Sequence, residues 1–215
     1  IAMYFKHHKP KSKVIILDAK DKFSKQGLFM QAYEKFYGDM VEWVSGANGG
    51  IIEGVDVGTR TLIGQVDEYK GDVVNLIPAQ KAGKLAHVAG LADDSGWCPV
   101  DQRTFESSIH KDIHVIGDAC IAGKMPKSGY AANSQGKVAA AAVVAALHGE
   151  ESGEPSYVNT CYSIAGPEWG FSVAAVYQLV DGKIVGVKGA GGLSPMDASA
   201  ETRAIEAEYA RSWFK

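Results

Sequence analysis

The chain has 215 residues, 46% of them hydrophobic and 22% charged, a globular composition with material for one large core or two small ones. A formal net charge of -3 leaves no basic excess to neutralise a phosphate backbone, so nucleic acid is not an expected partner. The longest apolar run, residues 138–147, is Ala-rich and far short of the ~20 residues of a membrane span, and residues 1–9 do not read as a secretory signal.

The first segment reads strand, turn, helix. Val14–Leu17 is an apolar run ended by Asp18, the pattern of a strand covered on both faces. From Gln26–Tyr37 apolar residues recur at helical spacing, and Gly38 stands where a C-terminal cap belongs. Residues 51–57 and 61–66 are short, Gly-broken and β-rich, which predicts a β-meander. Residues 72–77 read as a further buried strand halted by Pro78, and residues 81–89 as a short helix.

Residues 113–116 form another apolar run, entering Gly117-Asp118-Ala119, and a long helix is expected over 128–147, ended by Gly149. The stretch 150–156 is acidic, small and Pro-containing, the composition of a boundary. A hairpin is predicted over 171–187 around Asp181-Gly182, a strong type I′ signal, and a closing helix over 200–213 with Glu201 in its first turn. The order gives an α/β fold class with a small α+β tail and no internal repeats.

The stretch of greatest chemical content runs from residue 113 to the start of the long helix. A strand that delivers Asp118 at its carboxyl end, followed by a helix N-terminus at Lys127, Ser128 and Gly129, pairs a carboxylate with amides carrying partial positive charge. A turn with an Asx-type cap accounts for Gly-Asp-Ala equally well. Three cysteines, Cys98, Cys120 and Cys161, are too few for a disulfide scaffold, and no Cys/His spacing suits a metal. An odd count leaves at least one thiol free or partnered outside the chain, and a small buried hydrophobe is the ordinary role of each.

The words "IHVIGDA" and "MPKSGYAANSQGKVAA" resemble the second FAD-binding motif of the two-dinucleotide-fold flavoproteins, the group of glutathione reductase and the sulfide:quinone reductases. The words "KSKVIILDAKDKFSKQGLF", "IPAQKAG", "GWCPVD" and "EPSYVNTCYSIAGPEWGFSVAAVY" narrow the resemblance to the flavin subunit of flavocytochrome c sulfide dehydrogenase. It implies parts of two Rossmann-like dinucleotide-binding folds followed by a small α+β C-terminal domain. Residues 1–78 would then belong to the NAD-like domain, 79–151 to the FAD-binding domain and 152–215 to a flavin-binding and interface domain.

By the same resemblance, Gly117 and Asp118 reach the ribityl chain of FAD, while Lys127, Ser128 and Gly129 face the pyrimidine edge of the flavin. Cys161 matches one member of a redox-active disulfide, and Trp213 belongs to a C-terminal segment that shapes the flavin and cytochrome side. Asp18 resembles a ribose-binding carboxylate, although the family keeps that domain without using NAD, so a structural end-of-strand role is expected. The Gly-rich ADP-binding loop, the covalent FAD attachment and the partner cysteine belong to an N-terminal half that this sequence lacks. The implied substrate is sulfide, the implied partner a c-type cytochrome subunit and the implied location the periplasm. The alternatives are an NAD(P)H-dependent disulfide or quinone reductase on the same scaffold, and a non-catalytic cytochrome-docking fragment.

Overall fold

The computed structural model describes residues 1–212 and contains helices and sheets in the mixture of an α/β fold. The chain divides into two compact units: one made of Ile1–Pro78, Ser163–Phe171 and the residues from Pro195 onward, the other of Ala79–Tyr162 and Ser172–Ser194. The three segments expected from resemblance follow a different division, since residues 152–215 are shared between both units.

The first unit opens with α1 (Ala2–His8), β1 (Val14–Leu17), α2 (Gln26–Tyr37) and β2 (Val41–Val44). β1 and β2 pair in parallel, Val14 opposite Val41 through Leu17 opposite Val44, with α2 as the crossover that a parallel pair requires. The helix has the span its apolar spacing predicts and ends at Gly38 with φ +52°. The expected meander is β3 (Ile52–Asp56), β4 (Thr61–Gly64) and β5 (Glu68–Lys70), in that spatial order.

Leu28 and Ala32 of α2 pack with Phe171 into a core to which Phe29, Phe36 and Trp169 are added. Phe29 meets the Phe171 ring edge-on at 4.8 Å, and Phe36 meets Trp169 at 5.4 Å in the same manner, the arrangement that ring quadrupoles favour. The closing helix, α5 (Ala200–Ser212), buries Arg203 completely. Its guanidinium donates to the carbonyl of Pro195 at 2.5 Å and lies 5.5 Å from the Trp169 ring.

The second unit contains α3 (Lys84–Val88), α4 (Gly129–His148) and the sheet β6 (Ser156–Gly166), β7 (Trp169–Val180), β8 (Lys183–Leu193), in that order; β6 and β7 also lend residues to the first unit. β7 and β8 form the expected hairpin, with Asp181 at φ +49° and Gly182 at φ +73° as a type I′ turn demands. β8 carries three glycines of positive φ, Gly189, Gly191 and Gly192, beside a break in register between Ala175 and Tyr177.

Two expected strands are absent. Residues 72–77 find no ladder partner among the described residues, and Val73 and Ile77 are 88% and 70% exposed, so apolar content alone did not make a strand. Residues 113–116 are extended but bridge a neighbour once, Glu106 to His114. Phe105, which accepts from the Val115 amide, has φ +60°, and that left-handed turn bends the partner segment out of any longer ladder. Gly117–Ala119 is a 3₁₀ turn, so Asp118 ends no sheet strand.

The core of this unit gathers Val100, Phe105, Cys120, Met125, Ala131, Tyr157, Tyr177 and Ile184. Gln102 rivets it: its Oε1 accepts from the Ile184 amide at 2.6 Å, and its carbonyl accepts from the fully buried Tyr157 hydroxyl at 2.5 Å. Burial pushes the Tyr157 phenol well above its ordinary range. The fold therefore favours the neutral phenol, a contribution complete below the unfolded value near pH ~10 and lost as pH rises toward the folded one. Urea unfolding across alkaline pH should show stability falling above about pH 10, with a shallower fall in Tyr157→Phe. That variant should also be about 1 kcal/mol weaker at neutral pH.

Candidate functional site

α4 starts where the sequence places it because Ser128 caps it. Ser128 is extended, at φ -153° and ψ 156°, and its Oγ accepts from the Ala131 amide at 3.1 Å. The same hydroxyl donates to Asn159 Oδ1 at 2.5 Å. Asn159 lies on β6, 2% exposed, and its Nδ2 donates to Cys161 Sγ at 3.4 Å. Asn159 and Cys161 meet because alternate residues of a strand share a face. Ser134, one and a half turns into α4, accepts from the Val158 amide at 3.1 Å and fastens helix to strand. A continuous polar path thus joins the helix N-terminus to the Cys161 thiol.

The loop before α4 is held from inside the helix. Gly117, at φ +72°, donates its amide to Gln135 Oε1 at 2.7 Å; the left-handed backbone and the Ala132 methyl 3.3 Å from where a Cβ would stand both call for glycine. Gln135 is 2% exposed and lies 3.6 Å from Cys120 Sγ, which donates to the Gly117 carbonyl at 3.2 Å. Lys127 reaches back over the same loop. Its ammonium donates to the carbonyl of Asp118 and to that of Cys120 at 3.2 Å, and stands 3.7 Å from the centre of the Trp97 ring.

These groups surround a cavity of about 330 Å³ walled by Trp97, Gly117, Cys120, Met125, Lys127 and Gln135 among others. Of the residues expected from sequence, Gly117 and Lys127 line it. Asp118 is exposed on its 3₁₀ turn, and among the described residues no hydrogen-bond donor reaches its carboxylate, so the Asx-type cap does not form. Ser128 and Gly129 sit at the helix start beside the cavity wall, and nothing lies within 4 Å of the place a Gly129 Cβ would occupy. Cys161 is half-buried and connected through Asn159. Trp213 lies outside the described residues.

Burial raises the Cys120 thiol to about 11, against the opposing pull of the Lys127 charge. Burial likewise raises Cys98, with Asp93 adding to it, and raises Tyr177, with Cys161 adding. Gln135, Asn159 and Trp97 hold the site together, and none of them was singled out as a site residue from the sequence. For Gln135 the signal was present in "AANSQGKVAA", where Asn133, Ser134, Gln135 and Lys137 interrupt an otherwise small and apolar helix. Among the described residues no three His, Cys, Asp or Glu side chains form a metal cluster, and no helix is long and apolar enough to cross a membrane.

A family model described as flavocytochrome c sulphide dehydrogenase, flavin-binding, matches residues 153–215. A second, described as sulfide dehydrogenase (flavocytochrome c) flavoprotein chain, central, matches residues 1–78. The chain belongs to this flavoprotein family. The sulfide dehydrogenase flavoprotein models flank residues 79–152, the segment that carries the Gly117 loop and α4. A chain in the cryo-EM structure of the Tetrahymena thermophila mitochondrial ATP synthase F1Fo composite tetramer is similar in fold, with a TM-score of 0.56 at 21% identity. The match covers 81% of the present chain and 44% of that one, so the present chain spans less than half its length.

Replacing Gln135 by Leu keeps the volume and removes the acceptor of the Gly117 amide. Urea denaturation of Gln135→Leu should show a loss of about 1–3 kcal/mol, the usual penalty for a stranded donor.

Proposed function

We propose that this chain is the flavin-shaping part of a sulfide dehydrogenase flavoprotein, an oxidoreductase that takes electrons from sulfide at a disulfide and delivers them to a c-type cytochrome. The observation that carries the reading is the path Ser128–Asn159–Cys161, which ties the one half-exposed thiol to the helix start that the family motif assigns to the flavin. In this reading residues 1–78 derive from the NAD-like domain, 79–151 from the FAD-binding domain and 152–215 from the interface domain, and the whole protein works in the periplasm.

The site residues suit a flavin. A cavity of about 330 Å³ falls within the range of small-molecule pockets and accommodates a ring system, with the remainder of FAD lying beyond it. Open space over Gly129 admits a ligand to the start of α4, where the Ala131 amide is taken by the Ser128 cap, and the exposed Asp118 carboxylate is free to accept from ribityl hydroxyls. Lys127 adds a fixed positive charge to one wall. When bound, the flavin supplies a two-electron acceptor that can release electrons singly.

The remaining chemistry belongs to the protein. Cys161 would pair with a cysteine of the longer subunit. Attack of sulfide on that disulfide makes a new sulfur–sulfur bond to one cysteine and frees the other as a thiolate. Asn159 holds the Cys161 sulfur at a set position, and Ser128 in turn fixes Asn159.

The NAD(P)H-dependent reductase reading would use Asp18 at the end of β1. Its Oδ1 instead accepts from the Lys20 amide at 3.0 Å and the Lys20 ammonium at 2.8 Å, and the hydrogen bonds to Lys20 hold its carboxyl below the ordinary range. That carboxylate is spent on its own turn, which favours sulfide over a nicotinamide donor.

The test is made on the full-length flavoprotein with its flavin. Sulfide should bleach the visible flavin band. Cys161→Ser should keep the band and slow its bleaching by ~10³-fold, the scale of losing a nucleophile or its leaving group. NADH bleaching the wild-type protein while sulfide leaves it coloured would establish the nicotinamide reading instead. Binding of the cytochrome subunit with no flavin in the full-length protein would establish a docking role.

A further inference from the structure

Cys98 and Cys120 are placed opposite each other by the backbone. The Cys98 amide donates to the Ala119 carbonyl at 2.9 Å, and the Ile121 amide donates to the Cys98 carbonyl at 2.9 Å. These two bonds make a parallel bridge with Cys98 and Cys120 as the facing pair. Facing residues of a parallel bridge send their side chains to the same side, with backbones about 4.8 Å apart. That spacing falls inside the roughly 4.4–6.8 Å between Cα atoms that a disulfide spans.

Both thiols are free, Cys98 wholly buried and Cys120 2% exposed, and Cys98 is near enough to bear on the charge of Cys120. Val115 packs against the clusters of both. Their surroundings differ in one respect. Cys120 lines the cavity and Cys98 does not, so a small reagent in the cavity meets Cys120 first and Cys98 stands behind it.

We propose that Cys98 and Cys120 form a reversible disulfide in the cavity wall, closed by exchange with a small-molecule disulfide. The Cys120 thiolate attacks one sulfur of the reagent, forming a mixed disulfide and expelling one thiol. The Cys98 thiolate then attacks Cys120 Sγ, forming the Cys98–Cys120 bond and expelling the second thiol. Two protein thiols are oxidised, one disulfide is reduced to two thiols, and the two protons lost by the protein go to the leaving thiols. The closed bond joins the segment bearing Trp97 to the loop whose carbonyls hold Lys127, fixing the ring and the ammonium relative to each other. The flavin is not the oxidant in this exchange, which needs only that the cavity be open to the reagent, so the protein is tested without flavin.

The test exposes the full-chain protein to glutathione disulfide at about pH 9, where more of a raised thiol is ionised. Remaining thiols are then blocked with N-ethylmaleimide. Trypsin cuts after Arg103 and Lys111, so the two cysteines leave on separate peptides. The expected result is a linked pair of these peptides about 2 Da lighter than their sum, with N-ethylmaleimide lost from both cysteines and restored by reductant. Cys98→Ser should trap glutathione on Cys120, and Cys120→Ser should leave Cys98 unmodified. Cys98→Ala, checked by circular dichroism, replaces Cys98→Ser should the serine variant misfold. N-ethylmaleimide recovered on both cysteines after oxidation, with glutathione on Cys161 alone, would overturn the proposal. So would glutathione resting on Cys120 in the wild-type protein without transfer to Cys98.

Discussion

Lys127 extends over a loop whose carbonyls, those of Asp118 and Cys120, converge on its ammonium, while Trp97 covers it from another side. An ammonium has three protons to give, and a ring face accepts a cation without a lone pair. This one charge therefore gathers three pieces of chain: the segment before Pro99, the turn after Gly117 and the approach to α4. Gln135 completes the arrangement from the helix side by accepting the Gly117 amide. The loop is not a regular element: side chains satisfy the Gly117 amide and the Asp118 and Cys120 carbonyls, and backbone bonds to Cys98 hold the Ala119 carbonyl and the Ile121 amide.

The regular elements were legible wherever a local rule and the tertiary environment agreed. α2 ends at Gly38, α4 begins at Ser128 and stops at Gly149, and the hairpin turns at Asp181-Gly182, because capping and turn chemistry are decided within a few residues. Residues 72–77 and 113–116 show the opposite case. Each reads as a buried strand from its own composition, yet a strand exists only beside another, and that depends on distant residues such as Phe105 with its positive φ. β2 and β6 went unread for the same reason in reverse, their pairing being set by β1 and β7.

The site was legible in its motif and opaque in its fastenings. Gly117 and Lys127 line the cavity, and the helix start is capped by Ser128. Asn159, Gln135 and Trp97 act through amide and ring geometry across long sequence separations, which no spacing rule encodes. Arg203, in the closing helix of the first unit, is a similar case. The structure buries it completely against Trp169 with the Pro195 carbonyl as acceptor, while its Nε and the Trp169 Nε1 find no partner among the described residues.

The glycines of β8 bear on a different matter. β8 is one of the two outer strands of its sheet, and a straight outer strand is a template on which foreign chains can stack. Gly189, Gly191 and Gly192 hold backbone angles that break the even row of amides and carbonyls such stacking needs. A Cβ at Gly191 would stand 2.2 Å from the Ala174 carbonyl oxygen, so this irregularity cannot be straightened out by ordinary substitution. Along that edge the chain is thereby a poor template for self-association at high concentration.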